Sequence, residues 1–242
     1  MVINFVGAAG AGKSTITREA RQRLRNEGVR VASSAVGRRN PVWIRCRLVA
    51  HLRAVKFANC LSVEKHEGRR KLIGKLARSQ ASLLALKRRN GIVLTQGMTR
   101  ELWTHLCRFE RPFHQWRSAF SVLYFPDAVV CISAPSEVRS ERRAGRNKRV
   151  RPHAKPRLKR FLKKMRLPGS TVPLPEPHRD EDRALHDLSE LLREMQVPVV
   201  SIDSCMSVSY NVERIVYYCK MAMGGDGSGE DLSVVGSQET RE

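Results

Sequence analysis

The fold of this chain is decided by its N-terminal stretch, Val2-Ile3-Asn4-Phe5-Val6-Gly7-Ala8-Ala9-Gly10-Ala11-Gly12-Lys13-Ser14-Thr15. Its first five residues form an apolar run with β-branched side chains, which predicts a buried strand. The glycine-rich residues then predict a loop, and the periodic pattern of residues 16–26, closed by Gly28, predicts a helix. This order of strand, glycine loop and helix is typical of loops that bind phosphate.

The loop matches the complete pattern Gly-x-x-x-x-Gly-Lys-Ser. Its glycines let backbone N–H groups turn toward a phosphate, the lysine can reach β- and γ-phosphate oxygens, and the serine hydroxyl can bind Mg²⁺. A chance match would occur in roughly one sequence per hundred of this length. We therefore predict a site for ATP and Mg²⁺, with Lys13 also catalytic and Ser14 on the metal through the nucleotide. The predicted site consists of Gly7, Ala8, Ala9, Gly10, Ala11, Gly12, Lys13, Ser14 and Thr15.

Segments typical of strands and helices alternate along the rest of the chain. Apolar runs predict further strands at residues 29–36, 92–94, 128–133 and 197–202, with helices between them. Continuous apolar strands separated by helices indicate a parallel sheet covered on both faces. We expect an α/β protein, a P-loop NTPase three-layer fold with a five-stranded parallel sheet, in one domain over residues 1–223.

Positive charge is unevenly spread along the chain. The 242 residues include 45 Lys or Arg and 23 Asp or Glu, a net charge of +22, which makes contact with phosphate groups an expected property. Residues 136–166 alone hold 14 Lys or Arg against two acids. We predict a basic lid or insertion over residues 136–178. Residues 224–242 are rich in glycine, serine and acids, and predict a disordered acidic tail.

Several classes of protein are disfavoured by the sequence. No apolar stretch approaches 18 uninterrupted residues, so we expect no membrane span. The first positive charge follows the N-terminal apolar run, which is the wrong order for a secretory signal. The six cysteines and seven histidines show no metal-ligand spacing. We expect a cytoplasmic protein with reduced thiols.

Three parts of the sequence resemble thymidylate kinase and related nucleoside monophosphate kinases. They are residues 3–31, residues 127–146 with their Ala-Pro-Ser-Glu-Val and Arg-Arg-Ala-Gly-Arg runs, and residues 199–203 before the last helix. The glycine loop is the specific element of this likeness. The resemblance implies a P-loop kinase fold and transfer of the ATP γ-phosphoryl group.

The same resemblance implies roles for several residues near the lid and the last strand. Arg142 and Arg146 are four apart and share a helix face, and lid arginines of the resembled family close over the transferring phosphoryl group. We predict both to be catalytic, with Arg139, Arg143 or Arg149 able to serve instead. A solvated basic face is the alternative interpretation. Arg139 and Asp203 are predicted to contact the nucleotide, the latter where the family cradles adenine.

The acceptor side departs from the kinase pattern. Gln96 follows the strand at residues 92–94, where kinases of this fold usually carry an acid, and the strand at residues 29–36 also ends without one. Transfer to a phosphate needs no strong base, because it depends mainly on positioning and electrostatics. Arg38 and Arg39 stand where a phosphorylated acceptor would need cations. We therefore predict a phosphorylated small-molecule acceptor, such as a nucleoside monophosphate, bound by Arg38, Arg39 and Gln96.

Two other functions remain open from the sequence. One is a weakly hydrolysing, ATP-dependent protein that binds nucleic acid or another polyanion through its basic lid region. The other is a kinase that acts on a hydroxyl of a polynucleotide or small metabolite, which the missing acids disfavour.

Overall fold

The computed structural model describes residues 1–35, 41–61, 66–109, 111–148 and 180–224, with only the backbone described at residues 41, 66–68, 146–148 and 224. Arg38, Arg39 and Arg149, most of the predicted basic segment and nearly all of the predicted acidic tail lie outside these residues.

The described residues form a four-stranded parallel sheet. Its strands are β1 (Val2–Val6), β2 (Val93–Thr95), β3 (Ala128–Ser133) and β4 (Val199–Asp203), in the order β2-β1-β3-β4. β1 lies in the interior of the sheet, with Asn4 opposite Thr95 of β2 and Val129 of β3. The predicted parallel sheet is therefore confirmed.

The prediction of five strands was wrong for the residues that the structure describes. In the segment expected to form the second strand, Val31 makes an isolated parallel bridge with Ile92, supported by the bond from Ala32 N–H to the Ile92 carbonyl at 2.8 Å. The next residues, Ser33 and Ser34, are polar, and their side chains do not favour a buried strand. The neighbouring β2 is only three residues long, so it offers few further partners.

Helices cover both faces of the sheet. Within the described ranges they are α1 (Lys13–Asn26), α2 (Pro41–Cys60), α3 (His66–Lys87), α4 (Gly97–Leu106), α5 (Phe113–Ser121), α6 (Ser136–Lys148), α7 (Glu181–Glu194) and α8 (Val208–Gly224). None of them is long and apolar enough to cross a membrane.

Successive strand residues point to two separate cores, as expected from the two-residue period of a strand. Ile3 and Phe5 pack with residues of α1 and α8, whereas Val2 and Val6 pack with residues of α2, α3, α4, α5 and α7. By the same alternation Asn4 faces the second core, between α3 and α4. A polar residue thus occupies the middle of the central strand on a buried face.

Candidate active site

The glycine loop adopts a conformation that joins β1 to α1 directly. The Ala11 N–H donates to the Ala8 carbonyl at 3.2 Å, and the first turn of α1 closes with Thr15 N–H donating to the Gly12 carbonyl at 3.0 Å. The order of strand, loop and helix predicted from the sequence is confirmed.

Two loop glycines lie against neighbouring backbone. A Cβ atom at Gly7 would overlap the carbonyl oxygen of Ile132 in β3, and one at Gly10 would lie 2.7 Å from the carbonyl oxygen of Arg139 in α6. Gly7 and Gly10 also have φ angles of 147° and 93°, which L side chains rarely adopt. The loop is therefore held between β3 and α6, and neither position has room for a side chain.

Lys13 bends back over the loop that precedes it. Its Nζ donates to the carbonyl oxygens of Gly7 at 2.7 Å and Ala8 at 2.6 Å. These bonds place the ammonium group over the loop, where the phosphates of a bound nucleotide would lie.

The residues that follow Lys13 are open to solvent. Ser14 and Thr15 are both exposed at the start of α1. Ser14 also lines a cavity of about 280 Å³ together with Gln96. The Ser14 hydroxyl and the Gln96 carbonyl are oxygen donors of the kind that Mg²⁺ accepts, although neither carries charge. Ser14 and Gln96 could therefore supply oxygen ligands to a metal that is held chiefly by the nucleotide.

Two arginines of α6 hold this helix against the loop and the turn after β4. Arg143 donates from Nε to the Ala9 carbonyl at 2.8 Å. Arg142 donates to Ser204, through its hydroxyl at 3.0 Å and its carbonyl at 3.1 Å, and a Cβ at Gly12 would lie 3.7 Å from its Nη1. Arg142 is thus next to the loop, and its catalytic role stays a prediction, whereas the side chain of Arg146 lies outside the described residues.

Arg139 has a different environment from the one expected of a nucleotide ligand. Its side chain is only 8% exposed and forms an ion pair with Asp182 of α7 at 2.5 Å, with Glu181 at 3.9 Å. In this conformation its guanidinium joins α6 to α7, and contact with a nucleotide stays a prediction.

A cavity of about 390 Å³ adjoins the loop on the side of α8. Gly12, Arg142, Ser204 and Asn211 are among its lining residues. Asn211 is 1% exposed and donates from Nδ2 to the Asp203 carbonyl at 2.8 Å, while its Oδ1 has no partner among the described residues. Sequence reasoning missed Asn211, and the signal was a single amide one turn into the helix that follows the last strand.

Asp203 lies beside this cavity without lining it. Its Oδ1 accepts a hydrogen bond from Cys205 N–H at 2.8 Å, which closes the turn after β4. Its side chain borders a separate cavity of about 470 Å³ with Ser133 and Arg193. The carboxylate therefore shapes the turn in the described structure, and contact with a nucleotide stays a prediction.

On the other side of the loop, two cavities meet at the carboxyl end of β2. One, of about 280 Å³, lies against α1, and the other, of about 270 Å³, lies against α3. Ser34 and Thr95 belong to the walls of both, and no Asp or Glu belongs to the described lining of either. Gln96 is in the first of these walls, and its contact with an acceptor stays a prediction.

No protein-family model matches this sequence, and no curated protein does. Among solved structures, the chain is similar to deoxyadenosine kinase from M. mycoides with bound dCTP, at 15% identity over 90% of this chain and 98% of that one, with a TM-score of 0.36. The same kinase with bound dATP gives 15% identity over 90% and 98%, with a TM-score of 0.40. The same kinase with its products dCMP and a flexible dCDP gives 16% identity over 92% of this chain and 100% of that one, with a TM-score of 0.40. The likeness to thymidylate kinases stays a prediction.

Proposed function

We propose that this protein is a P-loop phosphotransferase that transfers the γ-phosphoryl group of ATP, bound with Mg²⁺, to a phosphorylated small-molecule acceptor such as a nucleoside monophosphate. The observation that carries this proposal is the position of the glycine loop between two cavities, one on the side of α8 and one at the end of β2. A donor nucleotide and an acceptor need separate cavities that meet at the transferred group.

The donor side uses residues that the structure brings together. Backbone N–H groups of residues 7–15 and the Lys13 ammonium would hold the phosphates, and Arg142 would add positive charge beside them. The cavity next to Asn211 would hold the base. Ser14 would hold Mg²⁺ through the nucleotide, and bound Mg²⁺ would neutralise charge on the phosphates.

The acceptor side has no carboxylate in its described walls, which suits a phosphate and disfavours a hydroxyl. In the transfer, the bond from the γ-phosphorus to the ADP oxygen breaks while a bond to the acceptor oxygen forms, and ADP leaves. A phosphate oxygen that is already ionised gives up no proton, so no general base is needed. A hydroxyl would need one.

The test is incubation of the full chain with γ-labelled ATP, Mg²⁺ and a panel of nucleoside monophosphates, sugar phosphates and their unphosphorylated counterparts. We expect label to reach a phosphorylated member. Hydrolysis of ATP without transfer to any member would contradict the proposal, and would favour the alternative of a weakly hydrolysing, polyanion-binding protein.

A further inference from the structure

The cavity at the end of β2 that lies against α1 has a cationic wall. Ser14, Thr17, Arg18 and Arg21 line it at positions i, i+3, i+4 and i+7 of the helix, so they share one face of α1. Thr17 is 7% exposed, and its hydroxyl has no partner among the residues described. The wall thus presents two guanidinium groups and a hydroxyl beside the glycine loop.

The two arginines are held in place by different contacts. Arg21 donates from Nη2 to the Leu94 carbonyl at the end of β2, and burial, with the nearby Arg25, lowers its pKa. Arg18 is more exposed and donates to Glu19 Oε1 at 3.0 Å. Among the contacts of the described residues, Glu19 is the one with which an anion would compete for Arg18. Guanidinium groups bind phosphate through paired hydrogen bonds, which makes this wall suited to a phosphate group.

The cavity that lies against α3 contains an unpartnered buried amide. Asn4 is 1% exposed and lines this cavity, and neither its Oδ1 nor its Nδ2 has a partner among the described residues. A Cβ at Gly97 would lie 3.0 Å from Asn4 Oδ1, so the glycine at the start of α4 leaves room for the amide. Burial of an amide without partners is unfavourable, and a ligand in the cavity that bonded it would offset this cost.

We infer that one phosphate monoester binds across both cavities, with its phosphate between Arg18 and Arg21 and its polar body hydrogen-bonded to Asn4. Ser34 and Thr95, which belong to both walls, would lie along the molecule between its two ends. This inference rests on the proposed function, because it assigns the acceptor. It gives the acceptor phosphate to described residues of α1, next to Ser14, independently of Arg38 and Arg39.

The experiment is calorimetric titration of the full chain with matched pairs that differ only in one phosphate: ribose 5-phosphate and ribose, glycerol 3-phosphate and glycerol, thymidine monophosphate and thymidine. A non-hydrolysable ATP analogue at saturation occupies the loop. We expect at least one phosphorylated probe to bind about tenfold more tightly than its partner. Arg18→Gln should weaken that probe about fivefold, whereas Arg25→Gln, the same charge loss one turn beyond Arg21, should change its affinity less than about twofold.

Asn4→Val tests the other end of the molecule. It should abolish discrimination among phosphorylated bodies while the affinity for inorganic phosphate stays within about twofold, and it should raise the melting temperature because an unpartnered polar group leaves the core. Asn4→Thr serves as a second variant if valine perturbs the strand.

Three outcomes would overturn the inference. They are equal affinity for the two members of every pair, an unchanged probe affinity in Arg18→Gln, and loss of probe binding in Lys13→Ala but in none of the other variants. Failure of the proposed function looks different. Phosphoryl transfer to the hydroxyl of an unphosphorylated compound would support a phosphotransferase but contradict a phosphorylated acceptor. Hydrolysis of ATP without transfer would contradict the proposed function, although the probes could still bind in the two cavities.

Discussion

The Nζ atom of Lys13 lies 2.6 Å from the carbonyl oxygen of Ala8, so the only lysine of the glycine loop folds back onto the loop itself. A second bond, to the Gly7 carbonyl, fixes the ammonium over the centre of the turn. The loop thus positions its own cation close to where the proposed function requires phosphate oxygens.

Replacement of Lys13 tests the donor site. In Lys13→Ala we expect ATP affinity to fall at least about tenfold and phosphoryl transfer to fall by about two orders of magnitude, because charge is lost next to the phosphates. Calorimetry and labelled transfer measure the two effects. Lys56→Ala, which removes an exposed lysine from α2, is the control and should leave both unchanged. Retained ATP binding in Lys13→Ala would remove the site assignment.

The unpartnered oxygen of Asn211 predicts a base preference. Because Nδ2 is tied to the Asp203 carbonyl, Oδ1 can only accept, and it suits the amino group of adenine better than the carbonyl of guanine. We expect ATP to bind about tenfold more tightly than GTP, and Asn211→Ser to reduce this ratio several-fold. Competition titrations measure both. A GTP affinity equal to that of ATP in the unaltered chain would contradict this role.

The contact between Gly10 and α6 predicts a strong effect of a single methyl group. Gly10→Ala puts a Cβ within 2.7 Å of the Arg139 carbonyl at a φ of 93°, so we expect a loss of about 2–3 kcal/mol in unfolding free energy. Gly74→Ala, in the middle of α3 with nothing within 4 Å of the new atom, should instead stabilise by about 0.5–1 kcal/mol. Urea denaturation compares the two variants, and equal stability would exclude the close contact.

His105 predicts how stability depends on pH. Burial, with smaller effects of Arg108 and Lys75, lowers its pKa to about 4, so the folded state keeps it neutral where an unfolded histidine is protonated. Below a pH of about 6.5 the unfolded chain binds more protons, and the folded state loses about 3 kcal/mol by pH 4 from this residue. His105→Leu should flatten the loss between pH 6.5 and 4, whereas His114→Gln, at an exposed position, should not. An unchanged slope in His105→Leu would contradict the assignment.

The sequence predicts the loop, most helices and the parallel sheet because each depends on local patterns. The Gly-x-x-x-x-Gly-Lys-Ser run defines its own strand, turn and helix, and the apolar runs of β3 and β4 are long enough to identify. The fifth strand, which the described residues do not form, would have needed a pairing partner. The neighbouring strand β2 is only three residues long, so Ser33 and Ser34 have few residues to pair with. No local pattern could show this.

The sequence did not suggest Asn4 and Arg18, the residues proposed here to bind the acceptor, for a similar reason. In the sequence, Asn4 is a single polar residue in an apolar strand. In the structure it lines a cavity with Thr95, Ser79 and Gly97, which come from three other elements. Arg18 looks like a solvated charge until α1 is packed beside the end of β2. The surroundings of both residues depend on packing between elements that are distant in the chain, and local sequence patterns do not show this packing.

The interior position of β1 has a consequence for synthesis of the chain. Its backbone partners are residues 93–95 and 128–131, and the Val2 N–H is bonded to the side chain of Asp127 at 2.7 Å. A ribosome therefore releases the first strand long before either neighbour exists, and pairings this distant in sequence form slowly. The glycine loop can therefore reach its final shape only after residues 93–139, which follow it in the sequence and supply its neighbours, have been made.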